Sequence, residues 1–459
     1  MPIRTILFLV GLGTCTVGGL FNPLYGIIGY VCHYLTWPEM QWWGDVLNPW
    51  GIRYSMLFAV ITMIGMLLNA PRLRWGRSPI TGQEFLVLLF LISAFITDAV
   101  ARSNTQLNPW QDSTGLLFKL AKIILFTFLL THVITVVSRF RTFVWVLVLG
   151  SLYLGIEAYN APEWMFQSTR IDHVGGPDFA ESSFFGAHLV AMLPFIGIFF
   201  LCGNVRMKLV ALAAGGFTVN ALVLTRTRAA FVGLLVALVF AFVLKIRRKK
   251  LRMVLYLVPA AVLAFTLTDT GFWLRMETIL APPQQLEQSA AGRLDIWRSA
   301  WRVLQDYPFG TGAGSFAHIV GHYDKTIALR DAHNVFIRCA VEFGVHSACL
   351  LLVIIINGWF TIRRAWKNAR GTPHEQEIHY YCYALAVCQA GYLAASMFMT
   401  TLFIEEFWWF LMLPVCLDRC ADNARTVTVS VPPVQEIELS QSGLDEWMPP
   451  LPNPGRGTA

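Results

Sequence analysis

The stretch FVGLLVALVFAFVLKIRRKKLRMVLYLVPAAVLAFTL, Phe231 to Leu267, places two apolar blocks on either side of the basic run Lys245–Arg252. Each block approaches the ~20 residues that cross the hydrocarbon core of a bilayer as a helix. Lys and Arg concentrate in cytoplasmic turns, so a run this basic belongs on the inner side. One stretch thus gives a fold class and an orientation.

The pattern repeats along the chain. Of its 459 residues, 56% are hydrophobic and 14% charged, too apolar a balance for a soluble protein of this length. The reading is an all-α integral membrane protein of about twelve transmembrane helices with one large outward-facing loop containing short amphipathic helices. Spans are expected near 3–33, 51–69, 79–101, 113–136, 141–159, 181–202, 207–225, 229–245, 252–269, 333–363, 379–398 and 402–417. The blocks do not alternate with period two, which argues against a β-barrel. The first span is interrupted at Phe21-Asn22-Pro23 and reads as two half-helices or one kinked helix. Its signal-peptide-like start is taken as an uncleaved helix because many spans follow.

The net charge of +7 is carried mainly by short turns between apolar blocks, so it is membrane orientation and not nucleic-acid affinity. Arg72/Arg74/Arg77, Arg139/Arg141, Arg206/Lys208, Lys245–Arg252 and Arg363/Arg364/Lys367/Arg370 become cytoplasmic turns, and both termini are expected inside. The nine cysteines lie mostly in apolar segments without metal-ligand spacing, so neither a metal nor a cofactor is expected. The divisions are a bundle over 1–269, an outer loop over 270–332, further spans over 333–422 and a polar, proline-rich cytoplasmic tail over 423–459, expected to be disordered.

The outer side collects the residues with chemistry. In AAGRLDIWRSAWRVLQDYP, Leu294, Trp297, Trp301 and Leu304 form an apolar stripe at helical spacing, as for a helix lying on the membrane surface. Arg298 and Arg302 read as its solvated face, while Arg293 points inward. PFGTGAGSF, Pro308 to Phe316, lacks the Gly-Lys-Ser/Thr ending of a phosphate loop and reads as a turn permitting close backbone approach. In DAHNVFIRCAVEFG, Asp331 to Gly344, Asp331 is the expected helix cap and His333 lies in the first turn, as an interface residue or a catalyst. Arg338 and Glu342, one turn apart, neutralise each other. Arg226 and Arg228 diverge if they share a helix, so one of them enters the bundle. Arg170, His173 and Asp178 lie in the other outer loop. Lys119 and Lys122 share a face inside an apolar span, Lys122 being the stronger functional candidate if Lys119 snorkels outward. A cationic, outward-facing, membrane-embedded pocket suits a lipid-linked phosphate or pyrophosphate.

GRLDIWRSAWRVLQDYPFGTGAGSF followed by DAHNVFIRCAVEFG resembles the signature region of the O-antigen ligase/O-antigen polymerase superfamily. The residues that carry the resemblance are Arg293, Trp297, Pro308, Gly310, Gly312, His333, Asn334, Glu342 and Gly344. Thr227-Arg228-Ala229 is similar to the family's Ser-Arg-Gly/Ala segment, with Thr227 in place of the usual serine. The resemblance implies transfer of a glycan from undecaprenyl pyrophosphate at the periplasmic face of the bacterial inner membrane. It implies Arg228 and Arg293 on the pyrophosphate and His333 at the acceptor hydroxyl, with Arg170, Lys122, Arg226 and Asn334 as accessory candidates. The acceptor is lipid A-core, a protein or a growing glycan. The first alternative is a polymerase elongating lipid-linked repeat units. The alternative from another class is a lipid-linked glycan transporter, which the single-sided loop disfavours.

Overall fold

A computed structural model describes residues 2–73, 76, 78–103, 113–167, 170–244 and 288–430. The expected span 252–269, the run Lys245–Arg252, Arg74, Arg77 and the tail beyond 430 lie outside the described residues. Nine helices come first: α1 (Ile3–Phe21), α2 (Leu24–Thr36), α3 (Tyr54–Leu68), α4 (Gly82–Ser103), α5 (Ser113–Val133), α6 (Val137–Tyr159), α7 (Ser182–Cys202), α8 (Val205–Thr225) and α9 (Arg228–Val243). Between α6 and α7, β1 (Phe166–Gln167) pairs antiparallel with β2 (Arg170–Ile171). Then come α10 (Gln288–Asp306), α11 (Phe316–Tyr323), α12 (Val335–Asn368), α13 (Glu375–Ser396) and α14 (Glu405–Ser430). Seven described helices are long and apolar enough to cross a membrane, and α3 and α9 are shorter apolar helices. The chain is an all-α membrane protein.

Helix α14 is the central post. Every residue from Glu406 to Ala421 is buried, as expected of a helix apolar on all sides and enclosed by others. Trp409 packs against Tyr30 and Tyr34 of α2 and Phe126 of α5, and Trp408 against Phe90 of α4. At its far end Arg419 donates to both oxygens of Glu84, each at 2.9 Å. The helix continues to Ser430, beyond the boundary expected at 422.

The expected first span is corrected. Along α3, Phe8 of α1 meets Tyr54, Gly19 approaches Ile61 and Gly65, and the Leu20 carbonyl accepts from Asn69 Nδ2 at 2.8 Å. Along the same helix α2 runs the opposite way: Pro23 lies at Gly65, Gly26 at Thr62, Gly29 at Phe58 and His33 at Tyr54. So α1 and α2 are an antiparallel hairpin, not one kinked crossing. Glycines supply the close approach, and Asn22 ends α1 with Pro23 starting the return. Arg4 lies 3.9 Å from Glu157 near the C-terminal end of α6. The described N-terminus therefore sits at the end of the bundle that carries His333, and α14 leaves at the opposite end. Among the described residues, the start of α1 and the end of α14 thus lie at opposite ends of the bundle.

The turns bearing Arg139/Arg141, Arg206/Lys208 and Arg363/Arg364 all lie at the Arg419 end. There Arg141 makes two 2.6 Å bonds to Glu377, and Arg364 reaches Asp418 at 2.8 Å.

At the His333 end, α10 and α11 fold onto α4 and α12. Ile296, Ala300 and Val303 are buried with Phe316, Ile319, Val320, Ala101 and Val341. Of the expected stripe of α10, Trp297 and Leu304 pack on the cluster, while Leu294 is 46% exposed and Trp301 64%. Small and β-branched residues won the inner face because they fit against α12 more closely than tryptophan.

Candidate active site

The α8–α9 junction presents the first cation. Arg226 ends α8 with a left-handed backbone (φ 46°), Thr227 is extended, and Arg228 opens α9. The two arginines are thus separated by a break at the junction of the two helices. Gly186 of α7 seats this junction, since a Cβ there would stand 2.7 Å from Ala230 Cβ and 3.0 Å from Thr227 Oγ1.

Arg293 of α10 is the second cation, half-buried. Burial first, and then the positive charge of Arg228, hold its guanidinium below its ordinary pKa, with the Glu181 carboxylate opposing them. The fold therefore brings Arg228 and Arg293 within electrostatic reach of each other. Like charges in a partly desolvated place repel, and an anion between them removes that cost. The Nε of Arg293 is buried without a hydrogen-bond partner among the described residues. Neither Arg226 nor Arg170 figures among the charges acting on Arg293.

His333 is held from three sides. Trp297 donates its indole N–H to the carbonyl of Ala332 at 3.0 Å. Asp331 accepts from the His333 backbone N–H at 3.4 Å, from Arg338 at 2.9 Å and from the Thr400 hydroxyl. Arg338 in turn reaches Glu342 at 2.8 Å, as expected, and lies over the Phe403 ring. His333 itself takes φ 46°, leaving its imidazole 38% exposed with Nδ1 3.9 Å from Asp331. It precedes the helix, which corrects its placement in the first turn. The cap is Asn334, not Asp331: its Oδ1 accepts from Phe336 and Ile337 N–H at 2.9 and 3.1 Å, and its Nδ2 donates to the Met397 carbonyl at 3.0 Å. Asn334 thus opens α12 through Oδ1 and ties it to the Met397 carbonyl through one Nδ2 hydrogen.

The glycine-rich turn has its partner in α12. Gly344 leaves the helical region (φ 87°, ψ 161°), which breaks the ladder and frees backbone groups on both sides. Thr311 and Gly312 N–H donate to the Val341 and Glu342 carbonyls at 2.9 Å, and Val345 N–H donates to Pro308 O at 3.0 Å. A Cβ on Gly310 would stand 2.6 Å from Gly344 N, so glycine is required there. Ala313 N–H is held by Asp98 of α4 at 3.0 Å. The turn is a clasp fixing α10 to α12, and hence Arg293 relative to His333.

Beside these lies a buried polar network of which the sequence reading named Lys119 and Asp178 but not Tyr34, His188 or Ser151. Asp178 accepts from Lys119 at 2.9 Å, Tyr34 at 3.3 Å and the Glu405 backbone N–H at 3.0 Å. Glu406 and His188 pair at 2.6 Å, and His188 reaches Ser151 at 3.1 Å. The lysine assignment is reversed: Lys119 turns to Asp178, while Lys122 is exposed. Arg170 sits half-buried in the β1–β2 hairpin, and His173 (φ 61°) is exposed. An ionisable residue within an apolar block was the available signal for His188. Tyr34 carried none, since Asp178 is 144 positions away.

The comparisons agree with this geometry. The family model described as O-antigen ligase matches residues 209–352, which contain Arg226, Arg228, Arg293, the clasp and His333. An O-antigen ligase of Pseudomonas aeruginosa is 22% identical over 385 residues, spanning 82% of this chain and 86% of that protein. The match lies over the segment that builds the site and the likeness runs along most of the chain, so both support the O-antigen ligase superfamily for this multi-pass helical protein.

Proposed function

We propose that the protein transfers a glycan from undecaprenyl pyrophosphate to an acceptor hydroxyl at the outer face of the bacterial inner membrane. The observation that carries the reading is the half-buried, like-charged pair Arg228 and Arg293 at the His333 end of a membrane bundle. Two guanidiniums suit the clustered oxygens of a pyrophosphate. The basic turns at the Arg419 end support an outward-facing site and, with the α1–α2 hairpin, an outward start of α1 and an inward end of α14.

In the reaction the acceptor oxygen bonds to the anomeric carbon and the bond from that carbon to the pyrophosphate oxygen breaks. Arg228 and Arg293 stabilise the charge that builds on the departing pyrophosphate. His333, presented ahead of α12 with a half-exposed ring, takes the acceptor proton. Asp331 and Trp297 orient it through backbone contacts. No metal is invoked.

The test uses purified protein in liposomes with labelled undecaprenyl-pyrophosphate glycan and acceptors added singly. Label passing to lipid A-core or a protein, lost in His333→Ala, supports the ligase. A ladder of longer lipid-linked chains replaces it with a polymerase. Movement of intact donor across the bilayer without any bond exchange refutes an enzyme.

A further inference from the structure

A cavity of about 500 Å³ lies on a different flank, between α1, α2, α3 and α6. That is within the ~300–1,000 Å³ typical of ligand sites. Leu7, Phe8, Leu12 and Phe58 give it an apolar wall, and it opens at the His333 end, where Arg4 and Glu157 stand 3.9 Å apart. Two tyrosines line it whose hydroxyls are buried without a hydrogen-bond partner among the described residues, Tyr54 and Tyr153. Tyr54 is 1% exposed as a whole. Buried hydroxyls are normally satisfied, so two on one cavity wall mark a place for an acceptor oxygen.

Helix α2 separates this cavity from the polar network. Its Tyr34 reaches Asp178, while Cys32, His33 and Thr36 face the cavity. No residue of the Arg228, Arg293 and His333 site lines it.

We propose that the cavity binds one zwitterionic glycerophospholipid. An acyl chain lies along the apolar wall, the phosphate faces Arg4 and the tyrosine hydroxyls, and the ammonium group faces Glu157. Three features select this ligand. The wall is apolar and lies within membrane-spanning helices. The donors are placed to meet ester or phosphate oxygens. The mouth carries one cation and one carboxylate, complementary to a head of both signs and not to a purely anionic one.

Gly11 gives a clean test. It lines the cavity, and a Cβ built on it meets nothing within 4 Å. Gly11→Phe therefore starts into open space, places a ring in the lining and improves the helix propensity of α1. Gly13, exposed and equally unhindered but not part of the lining, is the control.

The full chain is purified in mild detergent, and phosphatidylethanolamine or phosphatidylglycerol is titrated in while bound lipid is read by native mass spectrometry. Wild type and Gly13→Phe retain one phosphatidylethanolamine in preference to phosphatidylglycerol, and Gly11→Phe retains none. Glu157→Gln narrows the preference about two- to fivefold, the scale of a partly exposed ion pair. Retention by Gly11→Phe equal to wild type, or equal retention of the two lipids by wild type, overturns the proposal.

Discussion

The two ends of the bundle use similar ingredients for opposite purposes. At the Arg419 end a buried arginine meets the two oxygens of Glu84 and the carbonyls of Ser78 and Pro79, and Thr131 completes Glu84. At the His333 end the charges acting on half-buried Arg293 are the like charge of Arg228 and, more weakly, the Glu181 carboxylate. Both Arg419 and Arg293 keep an Nε without a partner, so an orphan nitrogen is not what distinguishes them. The sign of the neighbour is. The backbone differs as well: the described non-glycine residues with left-handed backbone, Trp37, His173, Arg226, Leu329 and His333, all belong to the His333 end. Strain gathered beside like charges is characteristic of a working site, whereas an arginine seated on a carboxylate is characteristic of a joint.

That contrast breaks first if Glu84→Ala is harmless. Removing one partner of a buried pair strands the other, so unfolding stability should fall by about 3–5 kcal/mol, read as a lower thermal midpoint in detergent. Transfer per folded molecule should stay unchanged. Arg293→Ala should do the reverse, lowering transfer about 10²–10³-fold while leaving the midpoint in place. A large stability loss in that variant would make Arg293 a joint like Arg419.

Smaller effects sharpen the picture between the ends. Gly344→Ala must hold φ 87° and bring a Cβ to 2.6 Å from the Phe309 carbonyl, and should cost about 1–3 kcal/mol of stability. Because the clasp aligns α10 with α12, transfer should fall further than the loss of folded protein explains. Trp297→Phe removes one hydrogen bond to Ala332, worth about 1 kcal/mol. Its transfer rate should drop several-fold with no change in donor binding, since it acts on the His333 backbone.

Much of this was legible in the residues. Block length gave α4 to α8 within a few positions, because span length is set by bilayer thickness and not by long-range packing. Arg293 reads as an inward-pointing cation from its spacing alone, whereas the choice of Arg228 over Arg226 rests on the family resemblance. What failed depended on contacts distant in sequence. Asn22-Pro23 is compatible with a kink or a reversal, and the approach of α1 and α2 to α3 decides between them. Lys119 and Lys122 share a helix face, and it is Asp178, 59 positions from Lys119, that selects it. Asp331 and Asn334 are both good caps, and the position of Met397 settles which one is used.

The most direct test of the central claim is donor binding across a double-mutant cycle. Undecaprenyl pyrophosphate is added to wild type, Arg228→Ala, Arg293→Ala and the double variant, and the ligand-induced rise in unfolding temperature is recorded. If the two arginines grip one pyrophosphate, each single variant loses most of the rise and the double variant loses little more. Single variants that keep the wild-type rise would contradict the account.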